Sequence, residues 1–281
     1  MTMAGVADLL RGSPRHPVGA DGRMALSDHL RELRARIIKS TLFLVVAFIV
    51  ALFFYHQLLD LVTAPYRHAV VQLGGKVDTK LVVTGITGGL MLQMKLCGVA
   101  SIVVASPYWL YQLWAFILPG LHPAEKKWSR IFAAVAGPLF IGGVLMGYYV
   151  MPKGIEVLIN FTPGGAQNLN DFTTYVTFIT RMLLVFGVAM EIPLFVVMLS
   201  LAGVVSGKAI RRARPWIIVG SFVFAAVATP STDPFGMSFL GLAMTILFLI
   251  SEGIARWIDR VRARRTPSGT GQWADDETST L

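Results

Sequence analysis

The chain has 281 residues, of which 54% are hydrophobic and only 15% are charged, and its net charge at pH 7 is +9. Soluble domains carry about 25% charged residues, so this composition predicts an integral membrane protein. The single cysteine excludes an internal disulfide, and the five histidines lack ligand spacing, so no metal or other cofactor is expected. Lys and Arg cluster beside apolar segments, which indicates membrane topology and attraction to lipids rather than nucleic-acid binding.

The N-terminal segment has no apolar core, so a cleavable signal peptide is not expected, and residues 1–25 are predicted to be a disordered cytoplasmic extension. Met24 is an alternative start to Met1. An amphipathic helix is predicted to begin just after Met24, on apolar residues at helical spacing, namely Leu26, Leu30, Leu33 and Ile37.

Six apolar segments follow, and about 20 apolar residues span a bilayer. The predicted spans are 37–55, 90–118, 131–151, 176–201, 215–229 and 235–250. The second is longer than needed, so we expect it to tilt, to bend at Pro107 or to extend beyond the membrane. The last two predict short helices, because at about 1.5 Å per residue they reach roughly 22–24 Å against a hydrocarbon layer of about 30 Å.

Topology follows from the basic residues between the spans. Nineteen Lys and Arg lie in the segments on one side, and four lie on the other. The positive-inside rule therefore places both termini in the cytoplasm. We expect an all-α membrane domain over 26–255, whose several prolines favour a curved, cupped bundle, and a basic, then polar, disordered cytoplasmic tail over 256–281. The outward connections, 57–89 and 152–175, are predicted to be folded caps or loops.

Two acidic residues near the basic side have ordinary structural explanations. Glu32 precedes Arg36 by four residues, the spacing of a surface ion pair on a helix. Glu125 follows Pro123 in the first turn of a helix, where a carboxylate complements free amide groups and the helix dipole. No nucleotide-binding loop, nucleophile elbow or HExxH motif is present, so the protein is not expected to be an enzyme.

Glu191 lies well inside the fourth predicted span, two residues before Pro193. An ionisable residue at that depth costs about 2.5–3.5 kcal/mol on insertion scales, so it predicts a functional position. Lys95 and Arg181 are nearer the outer ends of their spans and are expected to extend toward the interface. One explanation for Glu191 is a proton-coupled transporter of small solutes, although no inverted repeat of the kind common in such transporters is visible.

Several longer motifs carry a resemblance to a known family. They are HLRELRAR at 29–36, SPYWLYQLWAFILPGL at 106–121 followed by Glu125, FGVAMEIP at 186–193, RRARP at 211–215 and ATPSTD at 228–233. In this order, and with six spans between about Leu26 and the sixth span, they resemble the TatC family of twin-arginine translocase subunits.

The resemblance implies a signal-peptide receptor and core subunit that exports folded proteins across the cytoplasmic membrane of a bacterium, using the proton motive force. It implies TatA-like and TatB-like single-span partners, twin-arginine signal peptides of the cargo, membrane lipids and further copies of the chain. Two classes of protein compete with this one. They are the transporter that uses Glu191 and a membrane enzyme, for which the sequence shows no catalytic residues.

The resemblance also implies roles for individual residues. Glu32 and Glu125 would contact the signal arginines, and Arg34 and Phe116 would shape that surface. The remaining implied positions are two contacts for partner helices, a structural proline and an outer-side carboxylate, namely Glu191, Thr229, Pro65 and Asp233. The sequence departs from the family at three positions: Gly85 replaces an acidic residue found in some members, Met237 a glutamine, and Arg181 matches no family element.

Overall fold

The computed structural model of the chain describes residues 26–74, 79–117, 126–163, 166–201, 203–229 and 234–265. Its helices are α1 (Leu26–Phe53), α2 (Tyr55–Gln72), α3 (Gly88–Val104), α4 (Ser106–Ile117), α5 (Lys126–Asn160), α6 (Phe172–Leu201), α7 (Gly207–Ala228) and α8 (Pro234–Arg265). Two short strands, β1 (Thr79–Val82) and β2 (Asn168–Asp171), complete the described elements. The chain is therefore mainly helical, as expected from its composition.

Four helices are each long and apolar enough to cross a membrane, over Leu30–Phe53, Ala134–Asn160, Phe172–Leu201 and Pro234–Val261. Helices α3 and α4 together make a fifth candidate if the bent pair is one span. Helix α7 has 22 residues but is less apolar, because its first two turns contain several basic residues: Lys208, Arg211, Arg212 and Arg214. The described helices thus give four or five candidate spans, and the sixth stays a prediction.

The long second apolar segment bends, which is one of the three outcomes expected for it. The angle between α3 and α4 is 57°, and the break falls at Ala105, two residues before Pro107. Proline has no amide hydrogen and its ring obstructs the preceding turn, which explains the break. The indole nitrogen of Trp109 donates a hydrogen bond to the backbone oxygen of Ile102 across the break, at 3.0 Å. That side-chain bond gives a hydrogen-bond partner to a backbone oxygen at the break, where the regular helical pattern is interrupted.

Strands β1 and β2 pair in parallel, with Thr79 opposite Asn168 and Val82 opposite Asp171. Each strand is followed along the chain by a helix, β1 by α3 and β2 by α6. The all-α expectation holds for the helical body of the protein, and the two short strands lie in the outward connections. The expectation of folded outward connections took no account of strands, because four-residue strands are too short to show an alternating pattern.

Hydrogen bonds fasten the strand pair to α2, join α2 to α6 and link the two strand segments. The hydroxyl groups of Tyr66 and Thr79 lie 2.6 Å apart, and Tyr175 donates to the backbone oxygen of Val62 at 2.9 Å. The hydroxyl group of Thr84 donates to a carboxylate oxygen of Asp171 at 2.5 Å. We call this side of the bundle the strand end. The opposite side, where α1 and α7 begin and α4 and α8 end, is called the basic end.

Helix α8 corrects the prediction of a short sixth helix. It has 32 residues and continues to Arg265, so the predicted tail boundary at Arg256 falls inside it. The apolar segment ends earlier, but four buried residues on one face keep α8 packed against its neighbours: Ser251, Glu252, Ala255 and Ile258. Helix α7 begins at Gly207, before the predicted span 215–229, so it is also longer than its apolar segment.

The core is organised around α6, which contributes to two hydrophobic clusters. Near the strand end, Ile179 and Phe186 pack with residues of α2, α3 and α5. Nearer the basic end, Met198 packs with α4 and α5, including Trp114 and Phe140. This central position of α6 places its one carboxylate, on Glu191, inside the bundle rather than on its surface.

Candidate functional site

The first candidate site lies at the basic end, where α1 meets α4. The Nε and Nη2 atoms of Arg36 both donate to the Oε1 atom of Glu32, at 3.0 and 2.5 Å. The Nη1 atom of Arg36 donates to the Oε1 atom of buried Gln112 at 3.1 Å. The ion pair expected from the sequence is therefore present, but it also ties α1 to α4, and only 17% of the Glu32 side chain is exposed.

The two carboxylate oxygens of Glu32 differ in the hydrogen bonds that they accept. Both hydrogen bonds from Arg36 go to Oε1, and none from the described residues goes to Oε2. A carboxylate offers about four acceptor positions on its two oxygens. Glu32 is thus held in place on one side and can still accept a further donor on the other.

The other residues expected at this surface are only partly placed. Arg34 is exposed on α1. Phe116 is half-buried on α4, one turn beyond Gln112, while Glu32 lies one turn before Arg36. Helix α1 begins and α4 ends at the basic end. Glu32 and Phe116 therefore both lie closer to the basic end than the contact between Arg36 and Gln112. Glu125 lies outside the described residues.

The second candidate site surrounds Glu191 inside the bundle. The indole nitrogen of Trp114 on α4 donates to Glu191 Oε2 at 3.3 Å. The Oε1 atom of Glu191 is buried and accepts no hydrogen bond from the described residues. Leaving a buried polar atom without a partner costs about 1–3 kcal/mol. The site therefore retains unused hydrogen-bonding capacity at membrane depth.

The remaining predicted residues do not gather around Glu191. Thr229 is buried where α7 ends, and its hydroxyl group donates to the Ala225 oxygen at 2.8 Å. It lies at the strand end, whereas Glu191 is in the half of α6 nearer the basic end. Pro65 is fully buried within α2, as a structural residue would be. Asp233 lies outside the described residues.

The structure also places the two basic residues inside the predicted spans, Lys95 and Arg181. Lys95 donates to the hydroxyl group of Thr177 at 2.9 Å and is exposed, and Arg181 is exposed one turn further along α6. Among the described residues, no group of three or more His, Cys, Asp or Glu could hold a metal ion. Neither cation contacts Glu191.

Three residues of these contacts had no predicted role: Gln112, Trp114 and Glu252. The first two lie inside the 106–121 motif, but their partners are 76 and 77 residues away in the chain, so no local spacing reveals them. Glu252 is only 2% exposed and binds Arg214 and Arg256. The four-residue spacing between Glu252 and Arg256 was enough to predict that ion pair, but not the contact with Arg214.

The sequence profile of the family described as Sec-independent protein translocase protein (TatC) matches residues 28–242. The chain belongs to the TatC family. It is 40% identical to the Sec-independent protein translocase protein TatC of Frankia casuarinae over 270 residues, which cover 93% of this chain and 74% of that protein. It is 30% identical to the TatC of Escherichia coli K12 over 233 residues, covering 83% of this chain and 88% of that protein.

A solved structure gives the same relationship in three dimensions. A crystal structure of the twin-arginine translocase receptor TatC has a TM-score of 0.66 and 27% identity, and the match covers 83% of this chain and all of that chain. The resemblance found in the motifs is thus confirmed. The chain is a TatC-family subunit of a Tat translocase, a membrane transport protein that works with other Tat subunits.

Proposed function

We propose that this TatC-family chain is the signal-peptide receptor and core subunit of a twin-arginine translocase. It exports folded proteins across the bacterial cytoplasmic membrane, with the proton motive force as its energy source and with TatA-like and TatB-like single-span partners. The related crystal structure is named a twin-arginine translocase receptor, which supports this role. Several copies of the chain assemble in the receptor complex.

In this proposal the chain crosses the membrane six times and the basic end faces the cytoplasm. The support is the distribution of Lys and Arg, nineteen on one side against four on the other. Helix α7, the fifth crossing in chain order, is the helix that completes the six crossings. Its basic first turns lie at the cytoplasmic surface, and only its later, apolar turns lie in the hydrocarbon.

The placement of Glu32 is the observation that carries the proposal. Nineteen cations on one face should repel a basic signal peptide, but salt screens that field beyond about 8 Å. Binding therefore depends on carboxylates within contact distance. Glu32 is fixed by Arg36, which Gln112 holds in turn, and its Oε2 atom can accept a guanidinium group.

Elsewhere in the same protein one carboxylate serves two arginines. Glu252 accepts hydrogen bonds from both Arg214 and Arg256. A signal arginine placed on Glu32 opposite Arg36 would complete the same arrangement. Such charge-assisted bonds are about twice as strong as neutral ones, and guanidinium groups can bind carboxylates with two parallel bonds.

The remaining assignments complete the receptor surface. Glu125 accepts the second signal arginine, while Arg34 and Phe116 shape the surface beside Glu32. Glu191 and Thr229 contact partner helices, and Asp233 acts on the outer side. For Glu191 the support is its buried Oε1 atom, which a polar group of a TatA-like or TatB-like helix would satisfy.

Binding of a twin-arginine peptide to the purified full-length chain tests the receptor role. Glu32→Ala and Glu125→Ala should each weaken binding by roughly tenfold to a hundredfold, because hydrogen bonds to charged groups contribute about 1.5–3 kcal/mol. Asp60→Ala removes an exposed carboxylate elsewhere and is the matched control. A twin-lysine peptide should bind poorly from the start and lose less.

Double-mutant cycles between each glutamate and each signal arginine give the decisive quantity. Coupling should be appreciable for at least one arginine with each glutamate. Coupling near zero for all four pairs, in protein that inserts and folds normally, would remove both glutamates from the signal-binding surface.

A further inference from the structure

Two basic side chains on the apolar helices have no acidic partner. Lys95 on α3 and Arg181 on α6 are both exposed. Neither forms an ion pair with a carboxylate of the described residues. Ionisable residues at membrane depth are costly and usually pair with an opposite charge. Because the described part of the chain supplies no such charge, the partner of these two cations is an anion from outside the chain.

A hydrogen bond brings the two cations to one surface of the bundle. The Nζ atom of Lys95 donates to the hydroxyl oxygen of Thr177 at 2.9 Å, and Thr177 donates to the backbone oxygen of Thr173 at 2.7 Å. Thr177 precedes Arg181 by four residues, so the two lie on the same face of α6, about 6 Å apart along the helix axis. The ammonium group from α3 is therefore held on the face of α6 that also presents Arg181.

Both helices direct these side chains toward the strand end. Helix α3 follows β1 and α6 follows β2, so each of the two helices begins at the strand end. In a helix the bond from the α-carbon to the β-carbon tilts toward the N-terminus, and long side chains continue in that direction. The charged groups of Lys95 and Arg181 thus lie nearer to the strand end than their α-carbons do.

Hydrogen bonds to α2 place this surface relative to the membrane. Tyr148 on α5 donates to the backbone oxygen of Leu61 at 2.9 Å. Tyr175 on α6 donates to the backbone oxygen of the next residue, Val62, also at 2.9 Å. The two hydroxyl groups therefore lie at one level. Tyr149, beside Tyr148, is 80% exposed, and exposed tyrosines are enriched at membrane–water interfaces. This level is the head-group region of the leaflet at the strand end.

Lys95 and Arg181 come close to the same level. Thr177 is two residues beyond Tyr175, about 3 Å further along α6, and the ammonium group of Lys95 is hydrogen-bonded to it. Arg181 begins one turn deeper, but its side chain is directed back toward the strand end. Both charged groups are therefore within reach of the head-group phosphates, as is common for long basic side chains near helix ends.

We propose that Lys95 and Arg181 form a binding site for the phosphate of an anionic phospholipid in the leaflet at the strand end. The ammonium and guanidinium groups donate charge-assisted hydrogen bonds to the phosphate oxygens, and the acyl chains lie along exposed apolar residues of α3 and α6, such as Met94 and Val188. Thr177 positions Lys95 by accepting its hydrogen bond. The site goes beyond the proposed receptor function, because it lies at the end of the bundle opposite the signal-peptide surface.

The observations favour a lipid phosphate over a carboxylate on a partner helix. Every phospholipid of this leaflet presents its phosphate at the level of the two cations, whereas a partner would have to place a carboxylate at that one depth. A phosphate also offers oxygens to an ammonium and a guanidinium group at once. A head group with a net negative charge is preferred, because the choline of a zwitterionic lipid would be repelled by both cations.

Lipid binding to the purified full-length chain in neutral detergent tests the proposal. Phosphatidylglycerol and phosphatidylcholine with identical acyl chains are added separately, and bound lipid is counted by native mass spectrometry. The wild-type protein should retain phosphatidylglycerol in preference. The double variant Lys95→Gln/Arg181→Gln should lose roughly tenfold or more in apparent affinity, because it removes two charge-assisted contacts. Equal binding of the two lipids by the wild type, or an unchanged preference in the double variant, would overturn the proposal.

Arg67→Gln is the matched control for Arg181→Gln, since both remove one guanidinium group near the strand end. Arg67 is exposed on α2 but already has a carboxylate beside it, with 3.7 Å between its Nη1 atom and the Oδ1 atom of Asp60. Arg67→Gln should keep the preference for phosphatidylglycerol, and Arg181→Gln should weaken it. An equal loss in both variants would show that overall charge attracts the lipid and that no site exists at Arg181.

Thr177→Val keeps both charges and removes the acceptor that holds Lys95. It should weaken phosphatidylglycerol binding by about twofold to tenfold, the effect of one hydrogen bond, and it decides the question if the double variant fails to insert. Wild-type affinity in Thr177→Val would contradict the site. Two other results would reject a lipid as the ligand. They are displacement of phosphatidylglycerol by excess inorganic phosphate, and a double variant that binds this lipid normally but loses crosslinking to TatA-like or TatB-like partners.

Discussion

Trp114 on α4 donates a hydrogen bond to Glu191 on α6 at 3.3 Å, and this bond joins two helices inside the hydrophobic cluster near the basic end. The donor is only 4% exposed, and its ring packs near that of Phe195. One carboxyl oxygen is therefore committed to the fold. The other, Oε1, is buried and accepts no hydrogen bond from the described residues.

Substitutions at Glu191 should separate hydrogen bonding from ionisation. Glu191→Gln keeps an oxygen that can accept the hydrogen bond from Trp114 but cannot ionise. Glu191→Leu removes both the hydrogen bond and the ionisable group. We expect the leucine variant to reduce crosslinking to TatA-like and TatB-like partners more strongly than the glutamine variant. Wild-type crosslinking and export in both variants would make Glu191 a residue of the fold only.

Trp114→Phe is the companion variant, because it removes the donor and leaves Glu191 in place. The loss of one hydrogen bond to a buried carboxyl group should lower the free energy of unfolding by about 1–3 kcal/mol. Thermal unfolding in detergent measures this effect. An unchanged unfolding temperature would show that the 3.3 Å contact contributes little to stability.

A second prediction concerns the close approach of α5 and α6. A β-carbon added at Gly143 would lie 2.5 Å from the Phe186 backbone oxygen and 2.7 Å from Met190, whereas one added at Gly142 would meet nothing within 4 Å outside its own helix. Gly143→Ala should destabilise the protein by about 1–3 kcal/mol through overpacking. Gly142→Ala, the same change one residue earlier, should be neutral or slightly stabilising, because alanine favours helices. Equal unfolding temperatures for the two variants would contradict the observed packing.

The third prediction is a pH dependence at the strand end. Hydrogen bonds from the Thr84 side chain and from the backbone and side chain of Thr174 hold the pKa of Asp171 below its ordinary value of 3.8. A carboxyl group with a lowered native pKa stabilises the fold above its unfolded pKa, and this contribution is lost as the pH falls through the native value. The unfolding temperatures of wild type and Asp171→Asn should therefore differ above about pH 4 and converge below it.

Thr84→Val provides the control for this pH effect, because it removes the donor that has the largest influence on Asp171. The variant should show a weaker loss of stability on acidification than the wild type. If wild type and both variants lose stability in parallel from pH 7 to pH 3, other carboxyl groups account for the acid sensitivity.

The fourth prediction concerns orientation. In a Cys97→Ser background, single cysteines at Gly74 and Gly165 should react with an impermeant reagent added to intact cells, and a cysteine at Ser206 should react only after lysis. Gly74 and Ser206 are both exposed, so accessibility within the fold does not separate them. Labelling of Ser206 in intact cells would reverse the proposed topology.

Much of the helical framework could be predicted because it depends on local properties. Apolar length locates the spans, and the missing amide hydrogen of Pro107 locates the bend between α3 and α4. The length of α8 could not be found in this way. Its second half is stabilised by one buried face that contains Glu252, and burial of a carboxylate depends on Arg214 from another helix.

The candidate sites show the same division. Glu32 and Glu191 were predicted from their position along the chain and from family motifs. Their partners were not, because Gln112 and Trp114 come close only when α4 packs between α1 and α6. Contacts of that kind are fixed by tertiary packing, and a single sequence gives no direct signal for them.

The parallel pairing of β1 with β2 also constrains the order of folding steps during synthesis. Thr79 and its partner Asn168 are separated in the chain by α3, α4 and α5, so the pair cannot form while the ribosome is still producing those helices. In the proposed topology, β1 reaches the far side of the membrane first and stays unpaired there until β2 has been made. In that topology the strand pair closes only after β2 has crossed the membrane, and its closure reports that α3, α4 and α5 have already been inserted.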